Sequence, residues 1–150
     1  MRTGTRLAGF VVCATLFVTP LAFATPAAAQ ATGASAKDAP RSVMAGVYTN
    51  DQAKAGEAVF QATCGNCHPT SQFAGTPFQR MWHDKPVFTF FDQVRLMMPM
   101  DNPGGLTNEQ YASVVAYILK LNAYPAGETK LPASDAALKL IRFEQKPGSQ

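Results

Sequence analysis

The chain has 150 residues, of which 47% are hydrophobic, with 13 Lys and Arg against 10 Asp and Glu. Arg2 and Arg6 fall in a segment read below as removable, leaving 11 basic residues against 10 acidic ones. That balance excludes the basic face that nucleic-acid binding requires, and the remaining length allows one domain with a modest core.

Taken in chain order, Arg2 and Arg6 give a positive start, and Leu7 to Phe23 form an apolar run interrupted by small residues, Thr and Pro20. Ala27-Ala28-Ala29 then supplies small residues of the kind a signal peptidase reads. Residues 1–29 are therefore expected to be a signal peptide, cleaved after Ala29 or, as second choice, after Ala31. The protein is expected in the periplasm, with no membrane anchor after signal removal. Cys13 follows Val12, not a small residue, and would leave with the signal. Residues 30–47 are rich in Ala, Ser, Gly and Pro without period, which predicts a flexible leader.

An ordered domain is expected over 48–127. Thr49-Asn50-Asp51-Gln52 has the form of a capping box, opening a helix to about Ala62 with Ala53, Gly56, Val59 and Phe60 inward. Gly56 costs such a helix about 1 kcal/mol against Ala, a defect that close approach of a second helix would explain. Residues 68–81 contain Pro69, Gly75 and Pro77, lack periodicity and predict a loop. Val87, Phe90, Phe91, Val94 and Met97 recur at helical spacing, and Pro99 stops that helix by driving Met98 into an extended conformation. Asn102-Pro103-Gly104-Gly105 is a turn cluster. Thr107-Asn108-Glu109-Gln110 is a second capping box, followed by a stripe at Tyr111, Val114, Val115, Ile118 and Asn122, widened by Tyr117 and Leu121. Residues 128–150 form a C-terminal extension packing on or near the domain, with one short helix near 134–140. No segment is strand-rich and nothing repeats. The fold class is all-α.

The chemistry concentrates in Cys64-Gly65-Asn66-Cys67-His68. Two thiols at this spacing can each add to a vinyl group on one haem edge, and the histidine after the second thiol can ligate the iron beneath. One covalent haem c is expected. A thioredoxin-like thiol pair would stand at a helix start in a βαβ setting, whereas this pair follows a helix and no strands surround it. A zinc site would need four ligands, and His83 is the one further histidine.

For the opposite face of the iron, a soft neutral thioether favours the ferrous state. Met98 precedes Pro99, whose ring gives a rigid exit that can aim a sulfur. Met100, on the same loop, is the rival. Met97 reads as core packing and Met81, beside Trp82, as remote. Phe88, Phe90 and Phe91 would wall the haem or fill the core, and His83 reads as an exposed loop residue.

From the capped helix with Gly56 and Phe60, through the haem motif and Met98-Pro99, to Ala116-Tyr117-Ile118-Leu119, the chain resembles the class I c-type cytochromes over residues 48–141. The resemblance implies a small all-α fold whose first and last helices cross at Gly56, a Met-Pro methionine as iron ligand, and a propionate bond as one reading of Trp82, simple core packing being the other. It also implies a proline carbonyl, Pro77, accepting from His68, although the spacing there is unusual. Met98-Pro99, Pro103-Gly104-Gly105-Leu106 and Tyr124-Pro125-Ala126-Gly127 are similar to a bacterial subgroup linked to exported dehydrogenases. The implied partners are a quinoprotein dehydrogenase as donor and an oxidase or another cytochrome as acceptor. The expected role is one-electron transfer through a His68/Met98-ligated haem, not enzymatic turnover. The alternatives are a bound haem subunit of a dehydrogenase and a haem-based gas sensor.

Overall fold

The computed structural model describes residues 39–146. The expected signal peptide with its cleavage positions, Cys13, the front of the leader and residues 147–150 lie outside the described residues.

Helix α1 (Asn50–Thr63) starts where its cap is expected: Thr49 is extended and its hydroxyl accepts the Gln52 N–H at 3.2 Å. The reciprocal half of that box does not form. Gln52 is 6% exposed and its amide turns inward instead, donating to the Leu131 carbonyl (3.0 Å) and accepting the Leu131 N–H (2.7 Å). A buried amide must spend its hydrogen bonds on protein, and the arriving backbone of the C-terminal extension takes them. Helix α4 (Asn108–Leu121) has the complete box, with Thr107 Oγ1 accepting from Gln110 N–H and Gln110 Oε1 from Thr107 N–H.

These two helices make the most extensive contact in the fold, and Gly56 permits it. A Cβ at Gly56 would be driven into the backbone of Ser113 on α4, so the glycine's cost within α1 is offset by the approach it allows. At the far end of α4, buried Asn122 donates to the Phe73 (2.7 Å) and Ile118 (2.9 Å) carbonyls and accepts the Gly75 N–H (3.0 Å). That side chain pins the segment after the cysteine motif to the end of α4.

Residues 68–81 are not a loop throughout. A 3₁₀ turn (Thr70–Phe73) leads into α2 (Gly75–Trp82). Pro77 stands in the first turn of α2, where a helix has no intrahelical partner for an N–H, so the proline starts the helix without breaking it. Helix α3 (Val87–Met97) follows its expected span and buries Val87, Phe90 and Phe91. Met97 does not pack in the core: it is 57% exposed, because Val94 is already only half-buried and the next turn of α3 runs out past the core.

Residues 41–47 of the expected leader belong to the folded domain. Strand β1 (Arg41–Ser42) pairs in parallel with β2 (Ile141–Arg142), and a 3₁₀ turn (Val43–Ala45) capped by Ser42 buries Val43 completely. Val47 is also fully buried, and Gly46 packs against Gly127. Small-residue composition masked two valines whose apolar area is recovered only against the tail. That tail packs on the domain through Leu131, Leu138, Ile141 and Phe143, with the short helix α5 (Asp135–Lys139) tied to α3 by Arg95, which bridges Asp92 and Asp135. No helix among the described residues is long and apolar enough to cross a membrane.

Candidate haem site

The cysteine motif is wound onto the C-terminus of α1 by its own backbone. Cys64 and Gly65 both donate to the Phe60 carbonyl at 2.8 Å, and the Cys64 carbonyl accepts from Cys67 (3.1 Å) and His68 (2.9 Å) N–H. Orphan carbonyls at a helix end are thereby satisfied, and Cys64, Cys67 and His68 come to one wall of a cavity of about 760 Å³. Both thiols are free, with Cys64 half-buried and Cys67 exposed.

The His68 ring is fixed twice. Phe73 meets it edge-on at 5.7 Å, and Phe73 itself stands edge-on to Phe60, which packs against Tyr117. His68 Nδ1 lies 3.0 Å from Gln72 Oε1. An amide oxygen only accepts, so Nδ1 carries the proton and Nε2 keeps its lone pair for a metal. The acceptor is therefore Gln72, one turn after His68, and not the Pro77 carbonyl; Pro77 belongs to α2 and does not line the cavity.

The end of α3 and the loop after it line the same cavity. Met98, extended at φ −132° and ψ 151°, half-buried and followed by Pro99, lines the cavity together with Met97 and Met100. Met100 is 80% exposed. Phe90, Val94, Val114 and Ile118 supply apolar surface between the two walls, and the polar groups at the rim include Gln72, Gln93 and Asn102.

Trp82 does not reach the cavity. It is 5% exposed within a cluster of Phe78, Phe90 and Phe143, at 4.8 Å from Phe90, with Lys85 over its ring. Of the two readings of Trp82, its surroundings are those of core packing, with Phe143, on the C-terminal extension, filling out the cluster around the indole. Phe91 is core, packed edge-on to Tyr111, and Phe88 lies under Lys139. His83 pairs with Asp84 at 3.7 Å in an exposed position away from the cavity, and Met81 is exposed elsewhere.

The competing chemistries lack their settings. The thiol pair stands at the end of α1 and not at a helix start, and among the described residues no three His, Cys, Asp or Glu side chains gather as a metal-holding group. A haem fits: the cavity volume is in the range of cofactor sites, its lining is largely apolar, and two thiols, an imidazole and thioethers are gathered in that lining.

Residues 51–118 match the family model described as Cytochrome C oxidase, cbb3-type, subunit III. The match supports a class I c-type cytochrome domain, and the five α-helices and two minimal strands among the described residues are consistent with a small all-α cytochrome c fold. Such a domain implies haem c and a carrier of electrons. No curated protein and no solved structure matches the chain.

Two residues of this site were not singled out by the sequence. Gln72 sits at i+4 from His68, a spacing that signals contact only if the segment turns helically, and Pro69 argued against that. Tyr111 reads as one more apolar position on the stripe of α4, yet its hydroxyl donates to the Met98 carbonyl at 2.7 Å.

Proposed function

We propose that the protein is an exported one-electron carrier with a single haem held covalently by Cys64 and Cys67 and ligated by His68 and Met98. The observation that supports it is that the two thiols, the imidazole and the methionine loop line one largely apolar cavity. Bound haem supplies reversible one-electron chemistry at its iron. The chain's own part is to tether, orient and dry the group. Cys64 and Cys67 fix its edge, Gln72 holds the His68 ring in the tautomer that presents Nε2, and Phe73, Phe90 and Ile118 exclude water. Were His68 and Met98 both to hold the iron, no coordination site would be left for a substrate. That is why transfer, and not turnover, is the function.

The test is attachment. Thioether bonds survive denaturation, so acidified ketone should leave the haem on the purified chain at one per protein; extracted haem would refute the proposal. Reduced protein should also bind carbon monoxide poorly at neutral pH, and rapid tight binding would favour the gas-sensor alternative.

A second reading is a permanently bound haem subunit. It is favoured by the matched family's description as an oxidase subunit and by the exposed Leu96, Met97 and Met100 near the cavity. In either case a quinoprotein dehydrogenase is the proposed donor, with an oxidase or another cytochrome as acceptor. Isolation from the periplasm separates the readings: a carrier elutes alone, a subunit with a dehydrogenase or oxidase.

A further inference from the structure

We infer that Tyr111 is a positioning residue for the sixth-ligand loop, its hydroxyl tying together the two ends of residues 98–106; this rests on the proposed ligation by Met98. The loop has little else to hold it. Its internal backbone bonds are Asn102 N–H to the Pro99 carbonyl (3.0 Å) and Gly105 N–H to the Asn102 carbonyl (2.9 Å). Met100 and Asp101 are exposed, and Gly104 stands at φ 76° with open space where a Cβ would project. Tyr111, by contrast, is 1% exposed, and its hydroxyl donates to the Met98 carbonyl (2.7 Å) while accepting the Leu106 N–H (3.5 Å). A hydroxyl can donate and accept at once, so one oxygen reaches both the residue that enters the loop and the residue that leaves it.

Tyr111 is itself immobile. Its N–H bonds to the Thr107 carbonyl (3.0 Å) within the first turn of α4, a turn closed by the complete capping box, and its ring meets Phe91 of α3 edge-on at 6.3 Å. The first turn of α4 is thus a fixed post and the loop is strung from it. Anchoring the Met98 carbonyl fixes the peptide plane next to its α-carbon, from which the thioether projects. A phenyl ring of the same size would fill the same space and leave the loop untied.

The experiment uses the full-length holoprotein and the rate at which imidazole binds ferric haem, which is limited by departure of the loop sulfur. Tyr111→Phe should speed binding about tenfold, the factor that corresponds to losing a buried hydrogen bond. Phe91→Leu is the control: it loosens the same packing and keeps the hydroxyl. The inference stands if Tyr111→Phe accelerates binding more than Phe91→Leu at equal or smaller loss of thermal stability. It falls if Tyr111→Phe leaves the rate unchanged, or if Phe91→Leu matches it. Met98→Ala separates the underlying reading: if the ferric charge-transfer band survives there, Met98 is not the ligand. The Tyr111 rates still decide the tie in that case, because they report loop opening whichever loop sulfur binds. Should Phe at position 111 reduce the yield of holoprotein, amide exchange in the unaltered protein reads the same bond. Slow exchange at Leu106 supports the tie, and exchange as fast as in an open loop overturns it.

Discussion

The two walls of the cavity are built on opposite principles. The wall bearing Cys64, Cys67 and His68 is local: every backbone bond that shapes it joins residues three to five positions apart, from Phe60 to His68. The wall bearing Met98 is non-local, since its loop hangs on Tyr111, a residue of the next helix. A local wall can form as soon as its helix does, and it presents thiols in a fixed relation before the rest of the chain packs. The non-local wall exists only once α3 and α4 are docked. On the proposed function, attachment falls on the locally built part and the methionine ligand on the part held by a distant residue.

The largest expected effect comes from breaking the local wall. Cys64→Ala or Cys67→Ala should leave one thioether or block maturation, collapsing the yield of holoprotein as read by the pyridine haemochrome spectrum.

Next comes the opposite wall. Met98→Ala should remove the weak charge-transfer band of ferric protein, admit exogenous ligands and lower the reduction potential, because the soft ligand favouring ferrous iron is lost. Met100→Ala and Met97→Ala should keep the band. Since Met97 is mostly exposed, its loss should change stability by no more than about 0.5 kcal/mol, measurable by urea unfolding. A band that vanishes with Met100→Ala and persists with Met98→Ala would transfer the ligand assignment to Met100.

A smaller effect tests whether the local wall also tunes the iron. Gln72→Glu places a stronger acceptor on His68 Nδ1 and should lower the potential, whereas Gln72→Leu should raise it or leave the ring freer to turn. Shifts of the same sign in both variants, by voltammetry, would show that Gln72 acts only through packing.

The smallest effect lies outside both walls. Burial raises the Tyr48 phenol above its ordinary value of 10.0, and burial with nearby Glu144 raises that of Tyr124. Tyr48 donates to the Tyr124 carbonyl at 2.7 Å and Tyr124 to the Glu144 carbonyl at 2.8 Å. The folded state therefore holds these protons after the unfolded chain releases them. Stability is fully present below pH 10.0 and declines as pH rises through the raised values. Tyr48→Phe should flatten that alkaline decline in chemical unfolding measured at successive pH values. If the methionine wall is the weaker one, the charge-transfer band will fade at lower pH than this decline begins.

What the sequence revealed divides along the same line as the walls. The haem motif, the cap at Thr107 and the stop at Pro99 are legible because each is set by residues a few positions apart. Gln52 was assigned to its own helix end because its competing partner, the Leu131 backbone, is far away in sequence. Val43 and Val47 looked like leader because the surface that buries them comes from the far end of the chain. Sequence alone leaves Trp82 between core and haem because Phe143, which packs beside it, is distant in sequence, and Pro77 conceals α2 because a proline in a first turn resembles one in a loop.

The parallel pairing of Arg41 with Ile141 has a consequence for the order of assembly. Among the described residues, nearly the first and nearly the last are hydrogen-bonded neighbours, so the closing step requires almost the whole domain to be present. Loop-closure entropy is met late, and the aromatic cluster lacks Phe143 until that moment. The seam between the two ends works as a latch, drawn last over a core that can accept its cofactor first.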